Sequence, residues 1–254
     1  MKILITGLSG TLAPRLAALV RARGWEVQGW SRQETPADGS NRAREALRHW
    51  APDAIAHLAI GSADWAGLLA EYAGQHGRPF VFTSTAMVFD HRPDGPHDVS
   101  HAPNARDAYG QGKIECEQRV RSHCPGAAIA RLGWQIDPQG QGNNMLAELD
   151  RWQAREGRVR ASAHWVPACS FMSQTCQALL QLIEQPRAGT FHLDANATQA
   201  WRFDQIVDAL CRQFGKSWRV ESDSSEGAYR HDQRLVGGDL ALPALSDALP
   251  ALRT

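Results

Sequence analysis

From Ile3 through Leu132 the chain switches repeatedly between two hydrophobic periodicities, and that alternation leaves few folds open to it. Ile3-Leu4-Ile5-Thr6, Glu26 to Trp30, Ala54 to Ala59, Phe80 to Ser84 and Ala127 to Leu132 are short apolar runs that read as buried strands. Between them, residues 12–23, 42–50, 65–75 and 109–122 carry apolar side chains at helical spacing. Pro14 falls in a first helical turn, Gly24 and Gly77 close helices, and Pro52-Asp53 ends another. Strands separated by whole helices cannot pair as hairpins; they pair in parallel through crossovers that cover both sheet faces. The expected fold is therefore α/β, a doubly wound parallel sheet.

The texture changes after Gly133. Residues 137–144 are polar and loop-like, and helices are expected near 146–154, 173–184 and 203–214, with the Leu/Ala/Pro tail from Leu240 packing onto the body. We expect a core over residues 1–134. Residues 135–254 should supply its remaining elements and a small additional lobe.

Composition narrows the partners. Lys plus Arg equals Asp plus Glu at 27 each, so no basic field exists to attract nucleic acid or an anionic membrane. No run of about 18 apolar residues or signal-like segment is present, and a cytoplasmic protein is expected. Five widely spaced cysteines without a C-x-x-C suggest neither a disulfide framework nor structural zinc. No His/Asp/Glu cluster has the spacing of metal ligands, so no metal is expected.

Three local patterns carry chemistry. Gly7-x-x-Gly10-x-x-Ala13 joins the first strand to the first helix, where small residues permit a tight turn and let a pyrophosphate reach the helix N-terminus. This is the Rossmann-type arrangement. Candidate cofactor contacts are Gly7, Ser9, Gly10, Thr11 and Leu12 in that turn, and Leu58 and Ala59 at the end of a later strand. After the second strand, where an NAD site places an acidic residue, the chain has Ser31 and Arg32. A guanidinium there can fork onto a 2′-phosphate, so NADP is favoured and NAD remains open. Asp38 reads equally as an adenine contact or as a loop or N-cap carboxylate.

The second pattern is Tyr109-x-x-x-Lys113, which puts phenol and ammonium on one helix face. With three tyrosines and three lysines in the chain, chance gives only about 0.04 such pairs. The ammonium favours phenolate and is expected to lower the tyrosine pKa from about 10 toward neutrality, creating a proton donor for a developing alkoxide. The third pattern is Ser84-Thr85 at a strand's carboxyl end, where open α/β sheets bind ligands and a hydroxyl can hold a carbonyl. His57 reads as a packed core histidine; Trp134 and Trp152 read as core or as walls for a ring-shaped substrate.

At these residues the chain resembles the extended short-chain dehydrogenase/reductases. Residues 82–90, Phe-Thr-Ser-Thr-Ala-Met-Val-Phe-Asp, are similar to the S-T-D-Y-V-F-D segment of the dTDP-4-dehydrorhamnose reductase family. Pro52 to Ala59, Arg131 to Trp134, Asn143-Asn144 and Ala200 to Phe203 resemble further segments of that branch. The resemblance implies Thr85, Tyr109 and Lys113 as catalytic residues, with Tyr109 and Lys113 also contacting the cofactor, Lys113 at the nicotinamide ribose. It implies Ser84, Thr85, Trp134, Asn143 and Asn144 as substrate contacts, a substrate-facing C-terminal lobe, and NADPH-dependent reduction of a nucleotide-linked 4-keto sugar. A homodimer is compatible with it. The chain departs from the family at Ala86-Met87, which replaces an acidic-aromatic pair, and at 61–65, where a longer polar loop is missing. Two other readings follow from the same branch: an epimerase or dehydratase with tightly held NAD, and a cofactor-binding regulatory subunit without turnover.

Overall fold

The computed structural model describes residues 1–140 and 142–253. Its strands are β1 (Lys2–Thr6), β2 (Glu26–Gly29), β3 (Ala54–His57), β4 (Phe80–Thr85), β5 (His97–Asp98), β6 (Ala128–Leu132), β7 (Trp134–Ile136), β8 (Val159–Ser162), β9 (Trp165–Val166), β10 (Cys169–Phe171), β11 (Gly189–Leu193), β12 (Val220–Asp223), β13 (His231–Asp232) and β14 (Leu235–Val236). Its α-helices are α1 (Leu12–Ala22), α2 (Asn41–Trp50), α3 (Ala63–His76), α4 (Ala108–His123), α5 (Met145–Glu156), α6 (Met172–Glu184), α7 (Phe203–Gln213) and α8 (Leu245–Ala248).

Six strands form one parallel sheet in the order β11-β6-β4-β3-β1-β2, giving the doubly wound Rossmann-type α/β fold. The chain runs one way from β1 to β2 and the other way from β3 to β4, so the topological switch lies between β1 and β3. Burial follows from this arrangement. Ile3, Leu4 and Ile5 are fully buried in succession, as expected of a strand covered on both faces.

The chain divides into two compact units. The first comprises Met1–Val88, Pro103–Arg131 and Cys176–Phe191; the second comprises Phe89–Ala102, Leu132–Thr175 and the chain from His192 onward. The core elements beyond residue 134 are thus α6 and β11. In the first unit Leu4, Trp30, Leu47, Ile55, Trp65, Phe80, Phe82 and Val120 belong to one core cluster. In the second, Ile136, Met145, Leu149, Phe203, Ile206 and Leu210 form another, and Leu245, Leu249 and Leu252 of the tail complete it.

The helices begin where the sequence offers caps. Ser40, Ser62, Asp107 and Asn144 each accept a backbone N–H in the first turn of α2, α3, α4 and α5. Two strands end earlier than their apolar runs. β3 stops at His57 because the Leu58 and Ala59 amides turn onto the Thr6 hydroxyl, both at 3.0 Å. β2 stops at Gly29, and Trp30 turns into the core with its indole N–H on the Thr35 carbonyl at 3.2 Å. The short strands β7 to β14 were invisible to periodicity; β8 and β12, four residues each, pair across about sixty residues of sequence.

One ion pair anchors α4 to the sheet. Arg131 on β6 donates from Nε to Glu117 Oε1 at 3.0 Å and from Nη2 to Oε2 at 2.8 Å, with both side chains buried. Burial pushes the Glu117 carboxyl up, but hydrogen bonds and charge from Arg131, with help from Ser84 and Arg121, leave it below the usual carboxylate value. Arg131→Met should therefore cost about 3–5 kcal/mol by urea unfolding, because it strands a buried carboxylate. The Glu117→Met/Arg131→Met double variant should recover most of that loss.

Candidate active site

The first unit brings Thr85, Tyr109 and Lys113 together through local features of β4 and α4. Asp107 caps α4 by accepting the Gly110 amide at 2.9 Å. A Cβ on Gly110 would lie 2.3 Å from the Met87 carbonyl oxygen and 2.4 Å from the Ala105 Cβ, so only glycine lets the first turn of α4 approach the segment after β4 this closely. That approach brings Tyr109 close enough to Thr85 for the hydroxyl to weigh on the phenol pKa, while Thr85 Oγ1 accepts the Met87 amide at 3.2 Å.

Tyr109, Lys113 and Glu117 follow at four-residue intervals along one stripe of α4. Tyr109 is 39% exposed, whereas Lys113 is buried and donates from Nζ to the Thr83 carbonyl at 2.9 Å, over the Phe82 ring at 4.8 Å. The phenol pKa departs from the sequence expectation. Burial raises it, the Thr85 hydrogen bond opposes, and the Asp107 charge raises it further; Lys113 is not among its principal determinants. The lysine charge is instead fixed on the Thr83 carbonyl, and burial lowers the Lys113 pKa against the pull of Cys116 and Glu117. A phenol held above its ordinary value keeps its proton at neutral pH, as a general acid requires.

Ser84 is buried, its hydroxyl among the described buried atoms without a hydrogen-bond partner, while Thr85 is the partly exposed hydroxyl at the strand end. Of the substrate-side residues placed by resemblance, Trp134, Asn143 and Asn144 belong to the second unit. Trp134 stacks near Trp165 and Phe203 with ring centroids 6.0 Å away in each case. Asn143 is exposed. Asn144 is fully buried and both ends of its amide are engaged: Oδ1 accepts Ala147 N at 3.1 Å and Nδ2 donates to the Gly140 carbonyl at 3.2 Å.

The ends of β1, β2 and β3 build the adjoining cradle. Gly7 has φ of +84°, and a Cβ there would come within 3.1 Å of the Ala59 amide nitrogen. Gly10 donates its N–H to the Gly7 carbonyl at 2.8 Å, and Ser9 and Gly10 are exposed. Helix α1 starts at Leu12 after Thr11 with neither a capping side-chain hydrogen bond nor an acidic residue in its first turn, unlike α3 with its Ser62 cap and Asp64. Its first N–H groups therefore carry no side-chain acceptor. Ser31 is half-buried, and exposed Arg32 donates to the Ile60 carbonyl. Asp38 accepts the Ser40 amide at 3.0 Å in the loop before α2, and its pKa is lowered by the Ser40 hydroxyl first and then by that amide.

Sequence reasoning passed over Thr6. Its buried hydroxyl accepts the Leu58 and Ala59 amides and lies 2.7 Å from His57 Nδ1. With its lone pairs taken, the hydroxyl donates to Nδ1, which fixes His57 as the neutral Nε2–H tautomer. The available signal was a hydroxyl on the last strand residue before Gly7.

Residues 62–214 match the model of the RmlD substrate binding domain. The chain belongs to this family. Among relatives of this RmlD-type chain, methionine adenosyltransferase 2 subunit beta from Danio rerio is 26% identical over 162 residues, covering 52% of the chain and 47% of that protein. dTDP-4-dehydrorhamnose reductase from Mycolicibacterium smegmatis is 30% identical over 141 residues, covering 55% and 42%. The chain therefore aligns with less than half the length of either relative. The crystal structure of dTDP-4-dehydrorhamnose reductase from Bacillus anthracis in complex with NADP superposes with a TM-score of 0.82 at 18% identity, covering 99% of this chain and 98% of that one, and shows the shared fold. Among the described residues no helix is long and apolar enough to cross a membrane, and no group of three or more His, Cys, Asp or Glu side chains is placed to hold a metal.

The Thr6–His57 contact sets a pH dependence. Burial, then the Lys113 and Arg32 charges, lower the His57 pKa from 6.5 to about 3. Between these values the unfolded chain binds more protons than the folded one, so stability is complete above about 6.5 and falls as pH drops toward 3. His57→Asn should flatten that loss, reducing it by roughly 2–3 kcal/mol at pH 4.5 in chemical denaturation across a pH series. A variant whose pH profile merely parallels the parent would exclude His57 as the titrating group.

Proposed function

We propose that this RmlD-family protein is an NADP-dependent reductase that transfers hydride to a ketone, with a nucleotide-linked 4-keto sugar as the substrate class. The observation that carries this reading is the meeting of Thr85, the protonated Tyr109 phenol and buried Lys113 at the carboxyl edge of the sheet. The reductase relative and the NADP-bound structural neighbour support the reaction class and the cofactor.

The residues present fit a dinucleotide. A Cβ at Gly7 would fill the space against Ala59, and α1 opens toward that space without a capping side chain. Gly7, Ser9, Gly10, Thr11 and Leu12 would hold the pyrophosphate, Leu58 and Ala59 would flank it, and Ser31 and Arg32 would contact the adenosine ribose and its 2′-phosphate. Asp38 is retained as an adenine-side contact. Bound NADPH supplies the hydride. Thr85 orients the carbonyl oxygen by hydrogen bonding, and Tyr109 donates its phenolic proton to that oxygen as negative charge develops. Lys113 supplies fixed positive charge one helical turn from the phenol and is placed to hold the nicotinamide ribose. Trp134, Asn143 and Asn144 remain substrate-side assignments, with Asn144 acting through the α5 cap that follows Asn143.

A second reading, a cofactor-binding subunit without turnover, draws on the likeness to methionine adenosyltransferase 2 subunit beta. The Thr85/Tyr109/Lys113 set favours the reductase. Tyr109→Phe should lower kcat for NADPH oxidation by about 10²–10⁴ while leaving NADPH affinity within a few fold. If the parent binds NADPH tightly yet oxidises none across a panel of nucleotide-linked keto sugars, the subunit reading replaces this one.

A further inference from the structure

We propose that Trp65 is a positioning residue for Arg32, so that preference for the 2′-phosphorylated dinucleotide depends on the buried indole as well as on the guanidinium. This inference rests on the NADP reading above and extends it to a residue with no place in the cofactor motif.

An arginine exposed after a strand is ordinarily a flexible cation that must lose rotamer freedom to grip a ligand. Arg32 is held in two ways before any ligand arrives. Its guanidinium carbon sits 5.3 Å from the centroid of the Trp65 ring, and Nη2 donates to the Ile60 carbonyl. With its carbon over the indole and Nη2 on the Ile60 carbonyl, the guanidinium keeps its Nε and Nη1 hydrogens for phosphate oxygens.

The platform itself is fixed. Trp65 is 1% exposed and meets Trp30 edge-on at 5.3 Å and His57 edge-on at 4.6 Å. Its place in α3 is set by Ser62, which accepts the Trp65 amide at 3.2 Å. Gly61 closes over the ring: a Cβ there would lie 2.4 Å from Trp65 Cε3 and 2.9 Å from Cζ3. His57 is in turn pinned by Thr6. These contacts tie the segment after β3 to the segment after β2, on either side of the Gly7 turn that follows β1. In sequence, Gly61-Ser62-Ala63-Asp64-Trp65 occupies the stretch where the resembled family carries a longer polar loop. In the fold, that short segment delivers an aromatic platform beneath Arg32.

The test is equilibrium binding of NADPH and NADH to the full chain, with melting temperature recorded for each variant. The parent should bind NADPH about tenfold or more tightly than NADH, and Arg32→Gln should remove that preference. Trp65→Leu should lower the NADPH/NADH affinity ratio by about fivefold or more while changing NADH affinity less than about threefold, and Trp65→Phe should retain most of the ratio. If Trp65→Leu does not fold, Gly61→Ala, which forces the indole to shift with both key side chains present, should lower the ratio in the same direction. An unchanged ratio in the folded variant, beside a parent that prefers NADPH, overturns the role of Trp65 alone. A parent ratio near one overturns the NADP reading, and the inference with it.

Discussion

The Thr6 hydroxyl is the point on which the first unit's functional edge depends. It accepts two amides from the segment after β3 and donates to His57, so the neighbouring ends of β1 and β3 are joined at the place where the strand order reverses. A hydrophobic side chain of similar shape would leave two N–H groups without their acceptor, a cost of about 1–3 kcal/mol for each one buried. The polar path continues across the sheet. Thr83 Oγ1 donates to the His57 carbonyl at 3.3 Å, and Lys113 Nζ donates to the Thr83 carbonyl at 2.9 Å. Four side chains thereby link β1, β3, β4 and α4 at the edge that carries Thr85 and Tyr109.

Helix α4 meets two demands with one stripe. Tyr109 has to reach the surface, whereas Glu117, two turns further, is buried in a bidentate pair with Arg131. Lys113 lies between them and is buried because a backbone carbonyl receives its charge. The buried pair is not a source of large net stability, since desolvation offsets much of its attraction. Its contribution is positional: a bidentate contact to β6 fixes the rotation of α4 about its axis, and Tyr109 at the exposed end of the stripe inherits that setting.

Most of the sheet was legible in the sequence because parallel strands buried on both faces are continuous apolar runs separated by complete helices. The candidate site was legible because a Tyr/Lys pair at helical spacing is rare in a chain with three of each. What stayed hidden depended on distant partners. Strands β7 to β14 are two to five residues long and take their partners from far along the chain, leaving no local period to read. The burial of Ser84 could not be separated from the exposure of Thr85 by spacing alone, because it depends on what packs over β4 in the folded chain. Thr6 looked like an ordinary strand residue for the same reason.

In the folded chain Lys113 bears on His57 rather than on Tyr109. Sequence spacing suggested that Lys113 acts on the phenol by lowering its pKa. In the folded chain its ammonium is turned to Thr83, and its charge bears instead on His57, where it joins burial in disfavouring the imidazolium. A neutral His57 can accept from Thr6 at Nδ1, whereas an imidazolium cannot. One cation thus acts at two places on the edge: it holds fixed charge a turn from Tyr109 and adds to the burial that keeps His57 neutral beside Thr6. A neutral replacement at Lys113 would therefore remove a charge that bears on both His57 and the Thr83 carbonyl, while burial, the larger effect, continues to hold the imidazole neutral.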